Sequence, residues 1–416
     1  MRGAMILVAT LLLAASLHAD AARGQAFELS YLRTFVPRFL GSLAPSHLRS
    51  LAPSYPRTFV PSNPQVSSAE WRAARPGYTF AFPRDHAAHP PYRIEWWYYT
   101  GNLDAADGRR FGYQVTFFRV GVDPAPPNPS RWAVRDVYMT HVAVSDPSRR
   151  RYRYTERINR AGPGLAGADA DRYRVWNDDW TVSLDAEGRH VIRLREGGLG
   201  VDLVLDEGKP PTVNGRDGIS RKGPSDGNAS HYYSLTRMPT RGAIVIDGER
   251  VEVTGSSWMD REFGTNVLEA DQQGWDWLAL QLSDGSELMI YQLRRRDGSR
   301  DPYSSGTLTR ADGRVVPLES GDFTLASGGP TYRSAGTGAV YPIGWRIAIP
   351  DEAIALTVST PLANQELDLT ASIGMAYWEG LVDVTGIVAG RSVTGRGYLE
   401  MTGYAGSPGR FLAAPR

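Results

Sequence analysis

Pairs of an acidic residue and a glycine recur along the chain and constrain its fold more than any other feature. Apolar and polar residues alternate over the short runs that these pairs separate. An acidic residue followed by glycine suits the two-residue turn of a β-hairpin, whose central positions favour a positive φ. The pairs are Asp107-Gly108, Glu187-Gly188, Asp247-Gly248, Asp284-Gly285, Asp297-Gly298 and Asp312-Gly313. The pattern predicts antiparallel hairpins that close into barrels or pack as sandwiches, and therefore an all-β protein.

The composition agrees with this fold class and excludes several functions. The 416 residues include 44 glycines and 28 prolines, more than a helical protein tolerates. The formal net charge is +1 and the chain has no cluster of lysine and arginine, so we expect no nucleic-acid partner. Without cysteine, the protein has no disulfide, no thiolate nucleophile and no cysteine-ligated metal.

The N-terminal segment predicts export. Residues 1–21 combine Arg2, an apolar run from Met5 to Leu17 and small residues around Ala19, which is typical of a signal peptide. A buried or anchoring helix is the alternative. Residues 22–69 are rich in proline and serine and repeat the motif RTFVP, which predicts a disordered leader. We therefore expect a periplasmic or secreted protein, with peripheral contact to components of the cell envelope.

An internal repeat predicts two related β-domains. The segment EWWYYTGNL with its following FGYQVTFFR is similar to GWDWLALQL with its following ELMIYQLRR. In this match Trp97 corresponds to Trp277, and Tyr113 corresponds to Tyr291. The repeat predicts an N-terminal domain over residues 70–263 and a C-terminal domain over residues 264–410.

The stretch EWWYYT places an acid among aromatic rings. In a strand, alternation puts Glu95, Trp97 and Tyr99 on one face and Trp96, Tyr98 and Thr100 on the other. Because both faces are aromatic, we expect a central strand covered by a second layer. Two interpretations of Glu95 remain open. It forms a buried ion pair with an arginine such as Arg119, or it takes part in binding and proton transfer.

A second candidate site is the segment WMDREFG. Alternation places Trp258, Asp260 and Glu262 on one face and Arg261 on the opposite face. A carboxyl group against aromatic walls loses hydration, its pKa rises, and it then suits general acid catalysis near neutral pH. The alternative is that these charged residues brace the junction between the two domains.

Five histidines fall in the part expected to fold. The pair His86 and His89 has a spacing that serves some metal sites, but the flanking prolines prevent the helix that would bring the rings together. We therefore expect a structural loop and no metal ligands. His141 is expected in a strand as a hydrogen-bonded core residue, and His190 is expected in solvent after a hairpin turn. His231 shares a strand face with Tyr233 and is the histidine favoured for function.

The motifs together resemble a known superfamily. From about Phe82 to Tyr404 the chain resembles the carotenoid 1,2-hydratase and attachment-protein (AttH-like) superfamily, in its branch of predicted secreted hydrolases. The stretches that carry the resemblance are FPRDHAAHPPYRIEWWYYTGNL, SRKGPSDGNASHYYSLTR, SSWMDREFG, GWDWLALQL, MIYQLRR, AYWEG and GYLEMTGYAG. The resemblance implies two lipocalin-like antiparallel β-barrel or sandwich domains in tandem.

The resemblance also implies catalytic residues. The family's catalytic His-x-Trp and Tyr-x-Asp pairs correspond here to His231-x-Tyr233 and Trp258-x-Asp260, with the two aromatic identities exchanged. Glu95, Trp97, Tyr99, Glu262 and Trp277 are the expected substrate-binding residues. We expect Glu95, His231 and Asp260 to converge at the mouth or in the interior of the first domain.

The implied reaction is acid-base addition of water to an isoprenoid double bond. Asp260 would donate the proton, the rings of Trp258 and Tyr233 would stabilise the carbocation, and His231 would orient or deprotonate the water. This chemistry requires no metal and no cofactor. The alternative is a non-catalytic, lipocalin-like carrier or envelope accessory protein that binds a lipophilic small molecule without converting it.

Overall fold

The computed structural model describes residues 70–126, 128, 130–265 and 268–406. In these ranges the chain forms antiparallel strands with two short 3₁₀ helices, Arg84–His86 and Pro350–Glu352. The prediction of an all-β protein is therefore confirmed. The predicted signal peptide and leader lie outside the described residues. No helix within these ranges is long and apolar enough to cross a membrane.

The N-terminal strands form one antiparallel sheet. Its strands are β1 (Ile94–Ala105), β2 (Arg110–Gly121), β3 (Asp136–Asp146), β4 (Arg151–Arg160), β5 (Ala166–Ala168), β6 (Arg174–Asn177), β7 (Trp180–Leu184), β8 (His190–Glu196), β9 (Leu199–Leu205), β10 (Thr212–Val213), β11 (Ile219–Arg221), β12 (Ala229–Ile246) and β13 (Glu249–Gly264). The order is β4-β3-β2-β1-β13-β12-β9-β8-β7-β6-β5, and β10 and β11 pair with β12. Side chains join the two ends of this sheet, since Asn159 donates to Asn177 at 2.7 Å and Asn177 donates to the Arg157 carbonyl at 3.1 Å. The sheet is therefore nearly a barrel.

The C-terminal strands form a second antiparallel sheet and a small ribbon. They are β14 (Gln272–Leu282), β15 (Glu287–Arg295), β16 (Ser305–Thr309), β17 (Val315–Leu318), β18 (Thr324–Ser327), β19 (Thr331–Arg333), β20 (Val340–Pro342), β21 (Gly344–Ile349), β22 (Ile354–Ser359), β23 (Glu366–Leu369), β24 (Met375–Val388) and β25 (Arg391–Thr402). The order in the sheet is β17-β16-β15-β14-β25-β24-β22-β21-β18, with β23 on β24, while β19 and β20 form the ribbon. The two sheets give the lipocalin-like tandem arrangement that the resemblance implied.

Three apolar layers hold the sheets together. The first sheet surrounds a core that contains Trp97 and Tyr99, and the second surrounds a core that contains Trp378. A third cluster, including Tyr98 and Trp277, lies between the two sheets. Both faces of β1 are aromatic because one face fills the first core and the other contacts the second sheet.

The structure aligns the two copies of the internal repeat differently from the sequence match, by one residue. Trp97 points into the core of the first sheet, whereas Trp277 lies in the layer between the sheets. Asp276, the neighbour of Trp277, is the buried acid of β14, and it pairs with Arg294 at 3.0 Å. Because side chains alternate with a period of two, an alignment shifted by one residue exchanges the two faces.

Glu95 forms a buried ion pair, which was one of the two interpretations of this residue. Its Oε1 atom accepts from Arg119 Nε at 2.5 Å, and its Oε2 atom accepts from Arg261 Nη2. All three side chains are buried. Burial alone would raise the pKa of Glu95, but the two arginine charges hold this pKa well below its usual value.

Replacement of Glu95 by glutamine should strongly destabilise the fold. Glu95→Gln leaves two buried guanidinium groups without their shared counter-charge, which costs about 3–5 kcal/mol of unfolding free energy. Urea unfolding near neutral pH measures this loss. Since the folded-state pKa of Glu95 is depressed, its contribution is present above the unfolded value of about 4.3 and disappears as pH falls.

The matched control is Asp226→Asn, because Asp226 pairs with Arg75 on the surface with both side chains exposed. This variant should be as stable as the wild type. Equal stabilities of Glu95→Gln and Asp226→Asn would contradict the assignment.

Candidate functional site

A cavity lies between the two sheets. The strands β1, β2, β3, β12 and β13 line one side, and β14, β15, β24 and β25 line the other. The space open to the centre of a water-sized sphere is about 110 Å³, several times the roughly 10–15 Å³ that one water requires. Eight of the twenty lining residues are aromatic: Trp96, Tyr98, Phe118, Tyr232, Trp275, Trp277, Tyr291 and Tyr377. The cavity is smaller than the roughly 300–1,000 Å³ of a drug-sized ligand site, but its aromatic side chains and converging polar groups are characteristic of a small-molecule site.

Strand register aligns the polar residues of the cavity in a row across the first sheet. Ser234, Asp260, Tyr98, Thr116 and His141 are successive partners on β12, β13, β1, β2 and β3. Adjacent strands lie about 4.8 Å apart, so the Cα atoms of Asp260 and His141 are separated by roughly 14 Å along the sheet. A ligand on this row can contact both residues at once.

Asp260 is a buried acid held by three donors. Ser234 Oγ and Trp258 Nε1 donate to its Oδ1 atom at 2.5 and 2.7 Å, and Tyr232 donates to Oδ2 at 2.5 Å. Burial raises the pKa of Asp260 to about 7, outweighing the three hydrogen bonds, and the nearby charge of Glu262 adds to the increase. The carboxyl group is therefore partly protonated near neutral pH, as a general acid requires.

Glu262 differs from Asp260 because it has a cationic partner. Lys222 Nζ lies 3.1 Å from Glu262 Oε1 and 4.3 Å from the ring centroid of Tyr291. Burial disfavours the lysine charge, but Glu262 and Tyr291 together hold the Lys222 pKa above its usual value. The two acids of the WMDREFG motif thus have different environments, one paired with a cation and one not.

Two further acids face the cavity from the second sheet. Glu379 and Glu400 are direct partners on β24 and β25. Burial raises the pKa of both carboxyl groups, and the repulsion between them raises the pKa of Glu379 further. Tyr98 donates a hydrogen bond to Glu379. Since like charges directly opposite each other cannot both remain ionised in an apolar site, this pair carries at least one proton at neutral pH.

Three polar atoms of the cavity lining have no hydrogen-bond partner within the part of the chain that the structure describes. They are Gln114 Oε1, His141 Nε2 and Glu379 Oε2. The other ring nitrogen of His141 is hydrogen-bonded to the Tyr377 hydroxyl at 2.7 Å. Burial lowers the pKa of His141 to about 3, so its imidazole is neutral. These three atoms are available to a polar group of a ligand or to a water.

The structure brings some of the predicted site residues together in this cavity. Asp260, Glu262 and Trp277 line it, and Trp258 contacts Asp260 from the same face of β13. His141, expected as a fully hydrogen-bonded core residue, is buried but presents one ring nitrogen to the cavity.

The other predicted residues face the interior of the first sheet, which corrects the expected convergence of Glu95, His231 and Asp260. On β12 and β13, Ser234 lies opposite Asp260 and His231 lies opposite Phe263. The odd separation between His231 and Ser234 places the histidine on the opposite face. Its ring packs against Tyr78 with centroids 4.5 Å apart. The other predicted site residues that lie on this interior face are Glu95, Trp97, Tyr99 and Tyr233.

Several cavity residues were not found from the sequence. They are Tyr98, Gln114, Lys222, Tyr232, Glu379 and Glu400. Glu379 and Glu400 lie in AYWEG and GYLEMTGYAG, stretches that carried the family resemblance but received no role. Tyr98 shares with Trp96 the face of β1 opposite to the one chosen for Glu95. Alternation alone identified both faces but could not indicate which one meets the second sheet.

Comparison with known proteins assigns the family. The model of AttH-like proteins matches residues 73–404. This chain belongs to the AttH-like family. The AttH-like assignment confirms the resemblance to attachment proteins. The crystal structure of a candidate AttH from Nitrosomonas europaea matches with a TM-score of 0.72 and 36% identity, covering 80% of this chain and 99% of that one.

A second solved structure shares the AttH-like fold. Kievitone hydratase from Nectria haematococca matches with a TM-score of 0.62 and 16% identity, covering 82% of this chain and 97% of that one. No curated protein sequence matches the chain significantly.

The protonation of Asp260 is directly testable in this AttH-like protein. The infrared difference spectrum between the wild type and Asp260→Asn should contain a protonated carboxyl band that disappears with a midpoint near pH 7. Because the folded-state pKa is raised, the contribution of Asp260 to the free energy of unfolding is fully present below about pH 3.9. It is lost as pH rises through about 7.

Stability measurements give a second test of the same assignment. A pKa difference of about three corresponds to roughly 4 kcal/mol. As pH rises from acid to alkaline values, the free energy of unfolding of the wild type should therefore fall by that much relative to that of Asp260→Asn. Urea unfolding across this pH range measures the change. A midpoint near 4 in the infrared difference spectrum would contradict a raised pKa.

Proposed function

We propose that this protein is a hydratase-type acid-base enzyme that adds water to a carbon–carbon double bond of a small lipophilic molecule, with acyclic isoprenoids as the first candidates. The observation that carries the proposal is Asp260, a partly protonated carboxyl group without a cationic partner, in a cavity lined by aromatic rings. An alkene has no polar handle, so the aromatic part of the lining suits its binding.

The first step is transfer of a proton from Asp260 to one carbon of the double bond. The π electrons form the new C–H bond and leave a carbocation at the other carbon. The rings of Tyr98 and Trp277 meet edge to face with centroids 5.1 Å apart beside Asp260. Their electron-rich faces can stabilise the cation by about 1–2 kcal/mol each when water is excluded.

The second step is capture of the carbocation by water. Gln114 Oε1, His141 Nε2 and Glu379 Oε2 have no partner among the described residues, and a buried water needs two to four polar neighbours. The neutral His141 accepts the proton that the attacking water loses. Proton exchange with solvent then returns Asp260 and His141 to their starting forms. His141 therefore has the role that the family resemblance assigned to His231.

The alternative is a carrier that binds the same class of molecule without converting it. The three hydrogen bonds that already occupy Asp260 favour this alternative, because a carboxyl group held in this way also suits a static structural role. Export to the periplasm or the medium is part of both proposals. N-terminal sequencing of the mature protein from the envelope and secreted fractions tests the predicted cleavage near residue 21.

Asp260→Asn separates the enzyme from the carrier. The variant preserves the shape of the side chain but supplies no acidic proton, so we expect turnover to fall at least about 100-fold. Binding of the substrate should stay within a few-fold of the wild type. Mass spectrometry measures turnover as incorporation of ¹⁸O from labelled water into a panel of acyclic isoprenoid alkenes, and quenching of tryptophan fluorescence measures binding.

The matched control is Asp276→Asn, which changes a buried aspartate outside the cavity whose pKa is also raised. Its turnover should remain at the wild-type level in samples that are folded by circular dichroism. Binding without any ¹⁸O incorporation by the wild type would establish the carrier. Full turnover by Asp260→Asn would exclude Asp260 as the acid.

His141→Gln tests the water-activating group. The amide retains a hydrogen-bonding side chain but accepts no proton, so kcat should fall by about 100-fold with little change in KM. The effect should exceed that of His231→Gln, since His231 lies on the opposite face of the sheet. A larger loss of kcat in His231→Gln would instead favour the role that the family resemblance implied.

A further inference from the structure

A second cluster of chemically competent side chains lies in the interior of the first sheet. His86 is the last residue of the first 3₁₀ helix, His190 is the first residue of β8, and Glu207 follows the end of β9. Glu207 Oε1 lies 3.1 Å from His86 Nε2 and 3.7 Å from His190 Nε2. The three potential ligand atoms all lie within 4.8 Å of one another. This cluster shares no residue with the cavity between the sheets.

The other ring nitrogens of the two histidines are fixed by tyrosines. Tyr233 is hydrogen-bonded to His86 Nδ1, and Tyr99 is hydrogen-bonded to His190 Nδ1, each at 2.7 Å. The Tyr233 hydroxyl also lies 3.2 Å from the Asp85 carbonyl, and when it donates its single hydrogen there its oxygen accepts the proton on His86 Nδ1. In the tautomer with the proton on Nδ1, the lone pair of His86 Nε2 faces the carboxylate of Glu207 and can bind a metal ion.

The atoms that face one another in the cluster are two imidazole nitrogens and one carboxylate oxygen, a set that one cation can join. His86 Nε2 lies 3.1 Å from Glu207 Oε1, a separation that either the imidazole proton or a bound cation can bridge. His190 Nε2 is also buried without a hydrogen-bond partner in the described part of the chain. Neutral histidine and ionised carboxylate are the forms that bind metals.

We propose that His86, His190 and Glu207 bind a divalent transition-metal ion of the Zn²⁺ type. Two imidazole nitrogens and one carboxylate oxygen favour Zn²⁺ and its neighbours over Mg²⁺ and Ca²⁺, which take mainly oxygen ligands. Ligands at about 2.0–2.1 Å in a tetrahedron lie roughly 3.4 Å from one another. The two distances to Glu207, 3.1 and 3.7 Å, bracket this value.

The surroundings fit the proposed ion. Tyrosine hydroxyls on the far ring nitrogens give both histidines the fixed orientation that outer partners give to metal ligands. The Glu207 side chain is 37% exposed, so the ion has a route to solvent and a fourth position for water. Sequence spacing suggested a different pair, His86 with His89. The His89 ring instead stacks on Phe263 with centroids 3.6 Å apart and takes no part in the cluster.

No sequence pattern identified His190 as a partner of His86. His190 was expected in solvent because it follows a hairpin turn, but the structure buries it completely. His190 does follow the turn, but it is the first residue of β8, pairs with Leu205 on β9 and is buried with that strand. The ligands come from three segments that meet only in the folded sheet.

Titration with Zn²⁺ tests the proposal on the full chain. After treatment with a chelator, calorimetric titration with zinc chloride should give one saturable site per chain, and the bound ion should raise the melting temperature. Glu207→Gln and His190→Gln should each weaken binding by more than about 100-fold, because each removes a ligand. Tyr99→Phe, which removes only an outer partner, should weaken binding by about 10-fold.

Two matched controls accompany these variants. Glu187→Gln changes an exposed glutamate in the turn before β8, the strand that begins at His190. His231→Gln changes a buried histidine that faces the interior of the first sheet, as the cluster does, but lies outside the cluster. Both should bind Zn²⁺ as the wild type does. X-ray absorption at the zinc edge should show two imidazole ligands in the wild type and one in His190→Gln.

Absence of saturable Zn²⁺ binding to the wild type would overturn the proposal. Binding that is equally tight in Glu207→Gln and His190→Gln would also overturn it, since the ion would then lie elsewhere. If His190→Gln does not fold, Glu207→Gln decides the question, because its partly exposed side chain tolerates the change.

Discussion

The ion network of Glu95 with Arg119 and Arg261 determines which face of the central strands becomes the cavity. Glu95 and Arg119 are direct partners on β1 and β2, and Arg261 reaches Glu95 from β13. A slip of one residue in any of these strands would move a charge from this network into the layer between the sheets. Because each such slip leaves a buried charge without its partner, the network specifies register as well as contributing to stability. The position of Asp260 on the opposite face of β13 follows directly from the position of Arg261.

The chemistry of the two faces differs because their cations differ. On the interior face two arginines keep Glu95 ionised, whereas on the cavity face Lys222 is the cation among the lining residues and it pairs with Glu262. Asp260 is left in an apolar setting with hydrogen bonds alone, and burial therefore raises its pKa. An acid in this setting still carries a proton near neutral pH, whereas an acid paired with a cation has already lost it.

The sequence predicted the all-β fold and part of the candidate site, and the reasons are physical. Turn pairs and alternation are local signals, so the all-β class and the shared face of Asp260 and Glu262 could be inferred directly. Alternation does not indicate which face meets a second layer when both faces are buried, and so the sequence could not show that Glu95 and His231 face away from Asp260. Glu379 belongs to a strand distant in sequence, and its place beside Tyr98 depends on the packing of one sheet on the other.

The strand β12 connects the two candidate sites through neighbouring residues. Tyr232 and Ser234 donate to Asp260 on the cavity side, while Tyr233 between them is hydrogen-bonded to His86 on the interior side. A residue whose side chain is fixed cannot shift without moving the backbone that its neighbours share, so constraints on Tyr233 also restrict the donors of Asp260. β1 repeats the arrangement, since Tyr98 faces the cavity and Tyr99 is hydrogen-bonded to His190. The interior cluster therefore acts as a support for the cavity, and general acid catalysis depends on donors held to within a few tenths of an ångström.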